Sequence, residues 1–437
     1  MKDNCNPRTG TFTIDNQTAT FYLDDFLVTF MSPDRDMHNY NDNQFIFGET
    51  YNGHDIAIFK GKSTFEIEGV KRLNTSAYIV ATDNLYSTNW DTFDYIEFIG
   101  GTLNQLFFCT ALKGNLGSDT EKITFQDDSL HFIFSFGAVN CEIIVESTIS
   151  EQLNGGGRNI KNNTVSLTMK FSSPQKFVDA FEHITKIKDM MSIMTYRENV
   201  GFEEIYLHHN NPRISKMQVF LKENFSLTNK NIYDNLTFHD LHNYVPNLLT
   251  TIYSKKDNEA SYDIGFIPLD DKEVYQISNQ KVRMICSALE CELFFIDDIS
   301  YSDQENLSAL VNEIKEKIKE HRESSNKLSP KTYDMIFGSI KNWSMSASDK
   351  IWTIFQRYEE VLSFLLKGSD VIISEREITA FIKYRNNITH GSHRVINKSI
   401  ANTAYILSGL IYCCLLTRIG MSKDEIITMC KNNKLLS

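Results

Sequence analysis

Residues 381–394 read FIKYRNNITHGSHR, and within that stretch Arg385, Asn386 and His390 fall inside two turns of a segment patterned as a helix. Histidine titrates near neutrality and passes a proton either way. Arginine keeps its charge and offers a planar fork that fits a phosphate. An asparagine amide can hold an imidazole or a hydroxyl in one orientation. These are the parts needed to cut RNA with the substrate's own 2′-hydroxyl as nucleophile. A base takes the hydroxyl proton, an acid protonates the leaving oxygen, and a cation stabilises the charge gathering on the phosphate. The nucleophile belongs to the substrate, so no metal and no cofactor are expected. The residue types also permit a plainer account. Cations favour a helix C-terminus, and Asn and Gly end helices for backbone reasons.

On a helix, Asn386 and His390 are four residues apart and share a face. Arg385, five before His390, stands about 140° around from it. One chain offers one good proton carrier, whereas the reaction wants a base and an acid. Two copies across a two-fold axis would bring two histidines and two arginines to one cleft, so a homodimer or higher homo-oligomer is expected. The apolar run AYILSGLIYCCLL (404–416) points to the last two helices as its interface. Lys383 before the trio, and His393 and Arg394 just after it, are candidates for contacts to RNA phosphates.

Helical spacing runs from about residue 275 onward, over 281–295, 302–321, 349–367, 374–390 and 397–420. Ser374 and Glu377 make a capping box for the motif helix, and Gly391 is placed to end it. Ile378, Phe381, Ile382 and Ile388 give that helix a buried stripe. In the first helix, Glu290 and Glu292 are two apart and cannot share a face. One should be exposed and the other hydrogen-bonded or paired with an arginine, since buried acids need partners. If Glu290 faces Arg385 it would orient that side chain.

Upstream, 11–15, 19–30, 95–100, 130–137, 140–147 and 163–171 read as strands. LNGGGRN (153–159) reads as a long, loose hairpin connection, and Ser173–Pro174 as a helix start. Strand-like runs at 202–207 and 216–223 and a helix at 238–254 follow. The expected fold class is α+β. It has an antiparallel β-sandwich-like domain over 1–172, a mixed α/β segment over 173–270, and an all-α helical bundle over 271–437.

The net charge of −12 argues against a nucleic-acid-binding surface over the whole chain, but its distribution is uneven. From Val371 to Ser437 there are nine Lys and Arg against four Asp and Glu, a local +5 that leaves −17 on the rest. The eight cysteines form no C-x-x-C pair and sit mostly in apolar runs, which fits a reducing cytoplasm and no zinc site. The adjacent His208 and His209, and His239 with His242, lack the converging partners of a metal site. The acids Asp297 and Asp298 read as an exposed loop start. The run 404–416 is too short for a membrane span of about 20 residues and reads as a core helix, so no membrane is expected.

YRNNITHG resembles the Arg-x(4–6)-His motif of HEPN domains, with its polar residue after the Arg, and SALECELFF (287–295) is similar to the first helix of the ApeA-like HEPN group. FIFGETYNGHDIAIFKG (45–61) resembles a hairpin of the ApeA N-terminal domain, and FVDAFEHITKIKDMMSIMT with FEEIYL resembles that family's middle segment. The resemblance implies a HEPN ribonuclease domain behind a β-rich sensing domain, in bacterial abortive-infection defence against phage. It implies metal-independent cleavage by dimers, with Arg385 and His390 as the catalytic pair and Asn386 as polar partner. Glu290, with Glu292 nearby, takes the first-helix acidic position. RNA, transfer RNA among the candidates, would be the substrate, and a phage protein the trigger.

Overall fold

Alternating apolar residues in the first half become strands, and the helical periodicity of the second half becomes a bundle. The computed structural model describes residues 8–14, 17–31, 45–59, 61–67, 69–107, 129–154, 157–222, 225, 235–256, 259–296, 304–324, 327–341, 346–366, 373–391 and 395–432. The chain divides into two compact units, 1–254 and 255–437.

The first unit contains β1 (Arg8–Ile14), β2 (Gln17–Asp24), β3 (Leu27–Met31), β4 (Phe45–Thr50), β5 (Asp55–Phe59), β6 (Lys62–Ile67), β7 (Val70–Asn74), β8 (Ala77–Ala81) and β9 (Thr92–Ile99). After these come α1 (Leu103–Leu106), β10 (Ser129–Phe136), β11 (Val139–Asn154), β12 (Gly157–Lys176), α2 (Ala180–Thr195), β13 (Glu204–His208), β14 (Met217–Leu221) and α3 (Val245–Tyr253). The expected antiparallel β-rich region is present, with one refinement. Among the described residues its fourteen strands hydrogen-bond in a single continuous order, β10-β11-β12-β9-β13-β14-β8-β5-β4-β1-β2-β3-β7-β6, rather than in two separate sheets.

Three local expectations are corrected. The run 19–30 is two strands, because Asp25 adopts φ +54 and turns the chain between β2 and β3. Ser173–Pro174 does not start a helix but lies in β12, where pairing with β9 shifts register between Lys170 and Gln175. A proline is tolerated at such an irregularity because no ladder bond needs its missing N–H. Pairing of β11 with β12 extends to Asn154 and Gly157, so the connection there is short rather than long and loose.

Strand alternation builds two apolar layers. Phe12, Phe21, Leu23, Val28, Phe30, Ile56, Ile58 and Tyr78 form one cluster among β1–β3, β5 and β8. The other lies where α2 and α3 pack near β10–β12. Tyr253 of α3 sits 5.3 Å from the Phe134 ring and 4.6 Å from that of Phe136. His183 of α2 hydrogen-bonds the Tyr253 hydroxyl through Nδ1 at 3.0 Å, and burial lowers its pKa to about 4. Ile184, Ile187, Met190 and Met191 keep α2's buried face helical in spacing, each contributing about 1.5–3 kcal/mol by burial. At the β4–β5 hairpin, Gly53 takes φ +81 and Thr50 Oγ1 receives the His54 amide at 3.0 Å.

The second unit opens with a two-stranded ribbon, β15 (Lys255–Lys256) and β16 (Glu259–Ala260). Among the described residues seven helices follow: α4 (Asn279–Leu293), α5 (Gln304–Glu323), α6 (Pro330–Lys341), α7 (Ala347–Leu365), α8 (Glu375–Thr389), α9 (Lys398–Arg418) and α10 (Lys423–Asn432). Ile285 and Leu289 of α4, Ile354, Phe355 and Leu362 of α7, Phe381 of α8 and Leu407 and Leu410 of α9 are all buried. Gly409 lets α7 come close, since a Cβ there would stand 3.2 Å from Leu362 Cδ2. By length and composition α9 could cross a membrane, with mean hydropathy 1.6, but 78% of its apolar window is buried inside the fold. It is the core helix that the sequence led us to expect.

Candidate functional site

The motif helix α8 is set at both ends by its own sequence. At its start the Glu377 carboxylate accepts from the Ser374 backbone N–H at 2.8 Å and from the Ser374 hydroxyl at 2.9 Å. These bonds, the backbone one foremost, hold its pKa below the usual carboxylate value. At its end His390 is the cap residue, its N–H donating to Asn386 O at 3.2 Å, and Gly391 turns the chain with φ +86. The buried stripe is Ile378, Phe381, Tyr384 and Ile388. Ile382, expected in it, is only half-buried, and Tyr384 is the missed member. Tyr384 is locked by a 2.8 Å hydrogen bond from its hydroxyl to Asn279 Oδ1 at the start of α4.

With that stripe inward, Arg385 is directed at α4. Its guanidinium pairs with Glu290 through Nη2 and donates to Asn386 Oδ1 through Nη1 at 3.3 Å. The Cys286 thiol lies in the same place. Burial raises its pKa, and the hydrogen bond and charge of Arg385 oppose the rise. Arg385 keeps 25% of its side-chain surface exposed and Glu290 keeps 60%, so the pair faces solvent. Such a pair contributes about 0–1 kcal/mol to stability and chiefly sets orientation. Lys383, Asn386 and His390 are all exposed. At three- and four-residue spacings they share one face of α8.

Glu292 does not join this site. Its carboxylate is buried at 4% exposure and accepts from Arg418 Nη2 of α9 at 2.8 Å. Arg418 also donates to Ser261 O at 2.5 Å and lies over the Phe295 ring at 4.3 Å. Burial lifts the Glu292 pKa to about 7; Arg418 pulls it down by less than burial raises it, and Asp263 adds to the rise. Glu292 is therefore part of a tether inside the bundle. His393 and Arg394 lie outside the described residues, as do Asp297 and Asp298.

One residue escaped the sequence reading. Arg283 of α4 donates through Nη2 to the backbone carbonyl of Ile388, in the last turn of α8. The signal was present: Arg283 and Glu290 are seven apart, two turns, and so lie on one face. That face brings a cation and an acid to the end of the motif helix.

The histidines set aside as metal ligands have other partners. His208 Nε2 bonds Glu97 at 3.0 Å and its ring stacks on Tyr95 at 4.5 Å, while His209 lies 3.8 Å from Asp94. Cys141, Cys286, Cys291, Cys413 and Cys414 form no disulfide, and all but Cys291 are buried.

A family model, ApeA N-terminal domain 1, matches residues 6–259. The chain belongs to the ApeA N-terminal domain 1 family. Membership suggests an ApeA-type antiphage protein. No curated protein and no solved structure matches the chain. The ApeA match takes in almost the whole of the β-rich unit and ends near the start of the helical one, before the motif helix.

Proposed function

We propose that this ApeA-type protein is an abortive-infection endoribonuclease that cuts RNA without a metal. Its helical unit is a HEPN-type nuclease, and its β-rich unit is the sensor that regulates it, with a phage protein as trigger. The observation that carries this reading is Arg385, held by Glu290 and Asn386, with an exposed His390 five residues on at the end of the same helix. Glu290 and Asn386 are positioning residues that fix the guanidinium plane. Arg385 meets the scissile phosphate and stabilises the charge of the pentavalent transition state. His390 carries one proton, either from the 2′-hydroxyl or to the leaving 5′-oxygen, and His390 of a second copy carries the other. The bond from O2′ to phosphorus forms as the bond from phosphorus to O5′ breaks. The products are a 2′,3′-cyclic phosphate, which water can open to a 3′-phosphate, and a 5′-hydroxyl end. Lys383 and Arg283 are the cations this reading assigns to flanking phosphates.

The test is sequencing of RNA ends from cells expressing the chain or its His390→Ala variant. The expected outcome is 5′-hydroxyl ends, in transfer RNA first of all, that vanish with His390 together with growth arrest. Cleavage by the purified protein should survive EDTA; loss on chelation with rescue by magnesium would replace this reading with a two-metal nuclease. A rival reading makes the helical unit a non-catalytic dimerisation or partner-binding module with a ligand-sensing β domain. It draws on the fact that Glu290 already neutralises Arg385. Under it, His390→Ala leaves growth arrest and partner binding as they were.

A further inference from the structure

Helices α4, α7 and α9 pack on one another in the helical unit, and beside the C-terminal ends of α4 and α9 they leave a cleft of about 380 Å³. That size lies within the range that takes small ligands. Its apolar wall is Phe295, Ile296 and Ile354, and its charged residues are Arg357 of α7, Arg418 of α9 and Glu292 of α4. The cleft is separate from the Arg385 site. Glu290 and Glu292 are two residues apart, about 200° around α4, so they serve different faces of that helix.

Charge and donor count select the ligand. Glu292 and Arg418 offset each other as the tether of the bundle, and Arg357 adds a second guanidinium to the same lining. Burial raises the pKa of Tyr358 and of Cys414, both on the lining, and the charge of Arg357 works against each rise. Two charges stand off the lining, Asp263 near Glu292 and Lys423 with its Nζ 5.3 Å from the centre of the Tyr358 ring, and they are opposite in sign. The cleft therefore favours an anion. Few donors remain to meet one. The Tyr358 hydroxyl donates to Thr417 Oγ1 at 2.9 Å, and the Thr417 hydroxyl donates to Cys413 O at 2.9 Å. Arg418 gives Nη1 to Ser261 O and Nη2 to Glu292, while its Nε is buried without an acceptor. One guanidinium and one unmet N–H suit the two oxygens of a carboxylate better than the three oxygens and higher charge of a phosphate.

We propose that this cleft binds a small carboxylate with an apolar body, its head on the Arg357 guanidinium and its body against Phe295, Ile296 and Ile354. An oxygen at the inner end of the cleft gives Arg418 Nε the acceptor it lacks. The exposed Thr417 stands at the mouth. Binding here does not depend on the nuclease reading.

The experiment is calorimetric titration of the full chain with phenylpropionate, which reads binding whether or not the protein cleaves RNA. The expected result is saturable binding of one molecule per chain with a dissociation constant of about 1 mM or tighter. Phenylpropionamide has the same shape without the charge and should bind about 10-fold more weakly, as should phenyl phosphate. Arg357→Gln should weaken binding of the acid by about 10-fold, and Arg357→Lys by less. Thr417→Trp, at an exposed position, should fill the mouth and abolish binding. The comparison of acid with amide needs no substitution, so it holds whatever Arg357→Gln does to the fold. No saturable binding of the acid, an amide or phosphate that binds as tightly, or an Arg357→Gln or Thr417→Trp chain that binds as its parent does would each overturn the proposal.

Discussion

Two carboxylate–guanidinium pairs meet on helix α4, two residues apart, and they differ in almost everything but chemistry. Glu290 with Arg385 faces solvent, its acid 60% exposed. Glu292 with Arg418 is enclosed, its acid side chain 6% exposed. In water-like surroundings the first pair gains little energy, and its charges remain available to a ligand. In the interior the second pair must satisfy itself, because each ion has lost its hydration. One pair can act as a site and the other as a tether, and burial alone makes the division.

The largest expected effect is on the tether. Arg418→Ala strands Glu292 in the core and should cost about 3–5 kcal/mol of unfolding free energy, read by urea titration. Glu290→Ala should cost less than about 1 kcal/mol in the same assay. If the two losses are equal, burial is not what separates the pairs.

Activity should reverse that order. Arg385→Lys keeps a charge but loses the fork, and should lose nearly as much RNA cleavage as Arg385→Ala. A Lys variant with most of the parent activity would reduce Arg385 to a point charge. Glu290→Ala should reduce cleavage by about 10–100-fold through misplacement of Arg385. The buried pair offers no such contact with RNA, so Glu292→Gln should leave the rate of folded protein near that of the parent.

The smaller effect concerns pH. Burial lifts the Glu292 pKa from 4.5 to about 7, so the folded chain holds that proton more tightly than the unfolded chain does. The stability linked to it is complete below pH 4.5 and is lost as pH rises through about 7. Glu292→Gln cannot ionise, so it should gain on the parent in unfolding free energy as pH is raised across that window. Parallel curves would mean that Arg418 keeps Glu292 ionised throughout. In the β-rich unit His183 has the opposite sense, its pKa lowered to about 4 from 6.5. The stability linked to it is present above pH 6.5 and lost as pH falls toward 4, and His183→Gln should flatten that loss.

Much of this was determined by the sequence alone. The motif, its capping box, Gly391 as the turn residue and the helical identity of α4, α5, α7, α8 and α9 are local matters. They depend on 3.6-residue periodicity and on side chains that bond their own backbone. That Glu290 and Glu292 must part company also follows from spacing. Which of them meets the motif does not, because it depends on where α8 and α9 lie against α4, and only packing decides that. Arg283 was overlooked for the same reason: its partner is a backbone carbonyl 105 residues away, which no local pattern marks. The short helices α6 and α10 gave windows too brief for periodicity to speak. Strand alternation told inside from outside, but the order of fourteen strands rests on pairings between distant residues. An apolar run such as α9 reads alike whether it meets its own chain or another, and the fold alone decided that it is enclosed.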